Sequence, residues 1–170
     1  LAPFIVLAAR YHIGIQRVFS VAGVLLGLLV TGRPFLGICL GLQALFEESE
    51  EAPDMPGVGF IPGKVMRFRT NLSVPHIGWN GVRVQQPTNL FDGLNGDEKF
   101  YFVHSYHVVP ASADQVLTTT DYGYEFVSAI QQENIIATQF HPEKSGDSGL
   151  TILKNFLTPG SEKRSTEHVS

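Results

Sequence analysis

Apolar and polar positions along the chain fall into short blocks, and the blocks predict more strands than helices. Leu1 to Ala9 is an apolar run of strand length, whereas 13–29 mixes apolar residues with glycines and shows no clean helical period. Gly32-Arg33-Pro34 closes that region, and the proline biases Arg33 toward extended backbone. Phe35 to Ile38 reads as a buried strand and Leu42 to Glu48 as a helix, with Glu47, Glu48, Glu50 and Glu51 as its solvated end and following loop. Pro53 to Gly63 is a loop, rich in the residues that interrupt regular structure. Lys64 to Arg69 alternates as an edge strand does. Phe100 to Val109 is the strongest strand signal, aromatic and β-branched nearly throughout. Leu117 to Thr120, Phe126 to Ile130 and Ile135 to Phe140 are further strands. A helix follows, with Ser148 as its cap and Leu150, Leu153, Phe156 and Leu157 on one face. Helices at both ends of a run of strands predict an α/β sheet, part parallel and part antiparallel.

Composition narrows the classes. A chain of 170 residues holds one domain with a sizeable core, and 44% hydrophobic against 16% charged residues fits a globular protein. The net charge of −4, with no basic cluster, leaves a nucleic-acid role without support. Val18 to Val30 is apolar apart from Ser20, but Arg17 and Arg33 bracket it at a length short of a membrane span. Leu1 to Ala9 has no basic start of the kind a signal peptide carries. Both segments are read as buried elements, with no membrane partner. A single cysteine excludes an internal disulfide framework and suits a reducing compartment, so a cytoplasmic location is expected. His104 and His107 stand three apart on one predicted strand and so face opposite ways, which speaks against a shared metal. No metal or other cofactor is expected.

Chemistry concentrates at two strand ends. Gly37 and Gly41 flank Cys39 two residues away on each side, a spacing that permits a tight strand-to-helix reversal with the thiol at its tip. A thiol placed there is favoured as thiolate, although a lone cysteine in an apolar run is also an ordinary packing residue. Near the other end of the chain, His141 stands where an apolar strand stops, Pro142 removes a backbone donor, and Glu143 is close enough to accept from the imidazole. A thiol nucleophile needs such a base and such an orienting carboxylate. His12 and His168 sit in featureless contexts. Val74-Pro75-His76-Ile77-Gly78-Trp79-Asn80 stands out because it holds the single Trp beside His and Asn.

Gly-Ile-Cys-Leu-Gly-Leu-Gln together with Gln-Phe-His-Pro-Glu-Lys-Ser resembles the class I (triad) glutamine amidotransferases. Val-Pro-His-Ile-Gly-Trp-Asn and Phe-Tyr-Phe-Val-His-Ser-Tyr narrow the resemblance to the glutaminase subunits or domains of imidazole glycerol phosphate synthase, in histidine biosynthesis. It covers about Arg33 to Leu157, with the motifs in family order. The resemblance implies a flavodoxin-like mixed sheet flanked by helices, and a glutaminase that works with a (βα)8-barrel cyclase, as subunit or fused domain, to which it passes ammonia. It implies that Cys39 attacks glutamine, that His141 is base and then acid, and that Glu143 orients it. Leu40 would supply an oxyanion donor, and Gln43, Ser105 and Tyr106 would hold glutamine. Trp79, Asn80, Tyr101 and Lys144 match positions lying toward the cyclase. Another triad amidotransferase subunit, or a catalytically impaired scaffold that binds the cyclase, are the alternatives. Residues 1–32 depart from the pattern, because neither an Asp-Tyr-Gly-like turn nor the early Pro-Gly-Val-Gly loop occurs there. The expected organisation is a divergent N-terminal segment over 1–32 that leaves a sheet edge bare, an amidotransferase domain over 33–158, and a polar tail or linker over 159–170.

Overall fold

The computed structural model describes residues 4–8 and 31–158. Eleven strands run among them: β1 (Phe4–Ala8), β2 (Phe35–Cys39), β3 (Phe46–Ser49), β4 (Ile61–Arg67), β5 (His76–Gly81), β6 (Arg83–Val84), β7 (Lys99–His104), β8 (Tyr106–Pro110), β9 (Val116–Asp121), β10 (Glu125–Gln132) and β11 (Ile135–Thr138). The described α-helices are α1 (Leu40–Gln43) and α2 (Gly146–Leu157). Nine of the strands form one mixed sheet along the path β1-β2-β11-β10-β8-β4-β3, with β9 on β10 and β6 on β9. β5 and β7 pair separately as an antiparallel ribbon. The expected α/β architecture, part parallel and part antiparallel, is present.

β2 is the axis. It pairs in parallel with β1 on one side and with β11 on the other, so Ile38 faces both Leu7 and Thr138 in register. Both faces of β2 are also covered, Phe35 by one hydrophobic cluster and Leu36 and Ile38 by another, and a strand buried on both faces reads as a continuous apolar run. Two hydrophobic clusters divide the interior. Phe35, Leu42, Leu45, Phe46, Ile61 and Val65 anchor one; Leu36, Ile38, Phe100, Phe102, Phe140 and Ile152 anchor the other.

Several elements differ from their sequence reading. The helix expected over Leu42–Glu48 is a single turn, α1, and the chain re-enters the sheet as β3. β3 lies parallel to β4, so Glu47 and Glu48 are on an edge strand; the Glu47 carboxylate accepts from Gly63 N–H, and Glu50 accepts from Arg67 N–H and pairs with Arg69. β4 is interior, because β8 takes its other side. The strand expected over 100–109 breaks at Ser105, with β7 in the ribbon and β8 in the main sheet. β11 stops at Thr138, two residues early. α2 starts at Gly146 with Ser145 at its cap rather than Ser148, and it buries Gly149, Ile152 and Phe156 while Leu150 stays 64% exposed. The buried stripe therefore keeps Phe156 and the partly buried Leu153 of the expected face but is turned toward Gly149 and Ile152, leaving Leu150 and Leu157 exposed. β1 lies beside β2, so that flank of β2 is not the bare edge that the divergent N-terminus led us to expect. The expectations for 13–29, His12, His168 and the tail from 159 lie outside the described residues.

Candidate active site

β2 and β11 are parallel neighbours, so their C-terminal ends open on one edge of the sheet. Cys39 ends β2 with φ 54° and ψ −103°, a left-handed conformation that costs a non-glycine residue about 1–3 kcal/mol and needs surroundings that enforce it. Gly37 is one such constraint. A Cβ on it would come within 2.8 Å of Gly41 O and 3.1 Å of the Ala137 side chain, so strand, elbow and helix close up only around a bare Cα. Cys39 is half-buried and serves as cap to α1, which leaves Leu40 N–H at the first helical position without an intrahelical acceptor. The sharp turn expected around the cysteine is present.

The chain leaves β11 through Gln139 and Phe140 to reach His141, where Pro142 opens a 3₁₀ turn over Pro142–Lys144. His141 is held at its backbone. Its N–H donates to Tyr101 O (2.9 Å), and its carbonyl accepts from Ser145 Oγ (2.6 Å) and from Lys144 N–H (3.0 Å). Ser145 Oγ in turn accepts from Tyr101 N–H at 3.0 Å, so one buried hydroxyl ties the histidine to β7. The His141 ring is fixed by Glu143, with Nδ1 2.7 Å from Oε1. A carboxylate only accepts, so Nδ1 carries a proton and donates it to Glu143. Nε2 is buried without a hydrogen-bond partner among the described residues. An unsatisfied ring nitrogen shut away from water is costly to keep in a purely structural role.

Gln43 is buried, and its Nε2 donates to Tyr106 O (3.1 Å) and to Gln139 Oε1 (3.0 Å). Tyr106 and Ser105 stand at the break between β7 and β8, and Ser105 O accepts from Phe68 N–H. The structure thus brings Gln43 and Tyr106 together. In the ribbon, Trp79 and Tyr101 are cross-strand partners with ring centroids 6.0 Å apart, and Tyr101 lies 6.5 Å from the His141 ring. Trp79 is 58% exposed rather than a core aromatic, and Ile77 on the same face is exposed as well. Asn80 donates to Asp121 O at 2.8 Å, which pins β5 to β9. Lys144 is exposed beside His141.

Behind the ribbon lies a histidine cluster that the sequence reading placed otherwise. The break at Ser105 turns His104 and His107 toward one aromatic core, with ring centroids 5.2 and 4.9 Å from Phe68, instead of to opposite faces. His104 Nδ1–H donates to Tyr106 O (2.7 Å), so its Nε2 accepts from His76 Nδ1–H at 3.2 Å. His107 Nδ1–H donates to Val108 O, and its Nε2 accepts from Tyr124 OH at 2.9 Å. Burial pushes His76 down to about 4 and His104, next to His76, down to about 3, and lowers His107 as well. All three are neutral at neutral pH.

Two residues of the Gln-Phe-His-Pro-Glu-Lys-Ser stretch escaped individual notice: Gln139, fully buried between Gln43 and Cys39, and Ser145, the clamp on His141. The signal available was a polar residue inside an apolar strand end.

The family model described as glutamine amidotransferase class-I matches residues 22–159. A Pyrococcus furiosus protein named imidazole glycerol phosphate synthase subunit HisH is 56% identical over 126 residues, covering 74% of this chain and 64% of the relative. Proteins of the same name from Syntrophotalea carbinolica (54% over 133 residues, 74% and 65% covered) and Methanococcus maripaludis (53% over 124 residues, 73% and 61%; there named subunit HisH 1) are similar. The chain thus spans a little under two thirds of the length of these curated relatives. Among solved structures, a glutamine amidotransferase of Thermotoga maritima superposes with a TM-score of 0.59 at 18% identity, over 86% of this chain and 59% of that one. PurLQS of the same organism gives 0.61 at 16%, over 81% and 66%. These two support the fold.

Proposed function

This chain belongs to the class-I glutamine amidotransferases, and from that premise we propose that it is the glutaminase of an imidazole glycerol phosphate synthase, serving histidine biosynthesis. One observation carries the reading: Cys39 in a left-handed elbow at the end of β2, and the His141–Glu143 pair at the exit of the parallel neighbour β11. Cys39 attacks the side-chain carbonyl of glutamine. His141 Nε2 takes the thiol proton and returns it to the departing ammonia, while Glu143 holds the tautomer and stabilises the imidazolium. Leu40 N–H stabilises the tetrahedral oxyanion. Water then releases glutamate from the thioester by the same relay. Gln43, Ser105 and Tyr106 seat the glutamine. The names of the relatives support the imidazole glycerol phosphate branch over other triad amidotransferases.

The ammonia goes to a (βα)8-barrel cyclase that docks on the ribbon around Trp79, Asn80, Tyr101 and Lys144. The exposed Ile77 and Trp79 face is the kind of surface a protein partner covers. No helix among the described residues is long and apolar enough to cross a membrane; we place the enzyme in the cytoplasm. The unpartnered His141 Nε2 suits a site that is completed only on docking. The test is glutamate release from glutamine, with and without a cyclase, by the wild-type protein and by Cys39→Ala. Stimulation by the cyclase and complete loss in the variant are expected. Glutamate release by Cys39→Ala equal to wild type would overturn the mechanism; equal turnover with and without cyclase would remove the docking role.

A further inference from the structure

Gln139 occupies the two-residue step between the end of β11 and His141, and its side chain is fully buried. Its Nε2 lies 3.5 Å from Cys39 Sγ, and its Oε1 accepts from Gln43 Nε2 at 3.0 Å. An amide could be turned end for end, so which end faces the sulfur has to be argued. Tyr106 O decides it. A backbone carbonyl has no proton to give, so Gln43 must point its NH2 at Tyr106 O. The second N–H of that NH2 then faces Gln139, which must present its oxygen. The NH2 of Gln139 is therefore left facing Cys39. His104 Nδ1–H, also on Tyr106 O, holds that carbonyl in place from the far side.

We propose that Gln139 is a positioning residue for the nucleophile, an amide whose N–H is directed at Cys39 Sγ by the carbonyl of Tyr106 through Gln43. It acts through the sulfur and need not touch the substrate. A hydrogen bond to the charged form favours that form, so the N–H assists the thiolate and fixes its direction relative to His141. The same amide accepts the second N–H of Gln43 and so leaves that side chain satisfied. This inference deepens the glutaminase reading and rests on it for its kinetic part alone.

The experiment pairs Gln139→Met, similar in length but without a donor, with Gln139→Glu, which puts a carboxylate at the same place. The rate of Cys39 alkylation by iodoacetamide is followed against pH in the full chain, and glutaminase kcat and KM are measured in the complex with cyclase. The other titratable or charged groups described near this edge, His141, Glu143, Lys144 and Tyr101, are unchanged in both variants, so a displaced midpoint reports Gln139. We expect the Gln139→Met midpoint to move up, slowing alkylation at neutral pH by about tenfold while the high-pH plateau is kept. Gln139→Glu should move it further, and kcat should fall more than KM rises. Thermal unfolding near wild type in either variant shows that the fold survives. An unchanged midpoint in both folded variants would overturn the proposal. Altered alkylation in a protein that never hydrolyses glutamine would uphold the positioning role and overturn the glutaminase reading instead.

Discussion

The neutral histidine cluster makes this fold sensitive to mild acid, and the size of the effect follows from the geometry. In the unfolded chain an imidazole takes up a proton near pH 6.5. His104 does so only at about 3 and His76 at about 4, because burial disfavours the charged ring in both; at His104 this outweighs the opposite pull of its hydrogen bond to Tyr106 O, and the neighbouring histidines lower it further. With folded values below the unfolded one, the unfolded state binds more protons as pH falls. The stability these groups contribute is present above about pH 6.5 and lost as pH drops toward 4. At pH 5 each excluded proton costs about 2 kcal/mol, from about 1.5 pH units at ~1.36 kcal/mol each. Together His76 and His104 place the loss between pH 7 and 5 at roughly 3–4 kcal/mol, a large share of an ordinary domain's stability. Glu50 and Glu98 are also lowered, by bonds from Arg67 N–H and from Asn95 N–H, but they titrate below this window. Urea unfolding at pH 7 and pH 5 measures the loss, and His104→Phe should reduce it by about half. NMR of the imidazole carbons gives an independent reading. A His76 or His104 signal titrating near pH 6.5 in the folded protein, or an equal pH dependence in His104→Phe, would refute the argument.

Gly37→Ala should lower stability by about 1–3 kcal/mol, because its Cβ meets Gly41 O and the Ala137 side chain with no flexible neighbour to yield; a thermal midpoint equal to wild type would mean that the elbow relaxes freely. Glu143→Gln keeps the size of the side chain but removes the negative partner of His141 Nδ1, so kcat should fall by about 10²–10⁴ with the fold intact, and a near-wild-type kcat would deny it the orienting role. Gly149→Ala would set a methyl onto Pro142 O at the turn carrying Glu143, so it should cost stability and activity together, as parallel thermal and glutaminase measurements would show.

How far the sequence speaks for itself depends on whether local chemistry or long-range pairing decides. Cys39 was legible because two glycines at fixed spacing have one economical use, and the positive φ of the cysteine shows that use. His141 and Glu143 were legible for a like reason: a proline directly after the histidine opens a tight turn that brings the carboxylate back to the ring. The helix expected after the elbow failed because Leu42, Leu45 and Phe46 suit a helix face and a sheet core equally. The partner decided: Phe46 stands in register with Ile61 across from β3, a pairing that no local window contains. The stretch from Phe100 to Val109 shows the converse. Its residues favour strand throughout, yet Ser105 splits them between two sheets, since β7 must meet β5 while β8 must meet β4 and β10. That split carries the chemistry. It turns His104 inward, puts Tyr106 O within reach of both His104 and Gln43, and so sets the direction of the amides that end at the sulfur. Gln139 was invisible to pattern for the same reason. Its partners lie 96 and 100 residues away, and only the parallel pairing of β2 with β11 brings them to its side.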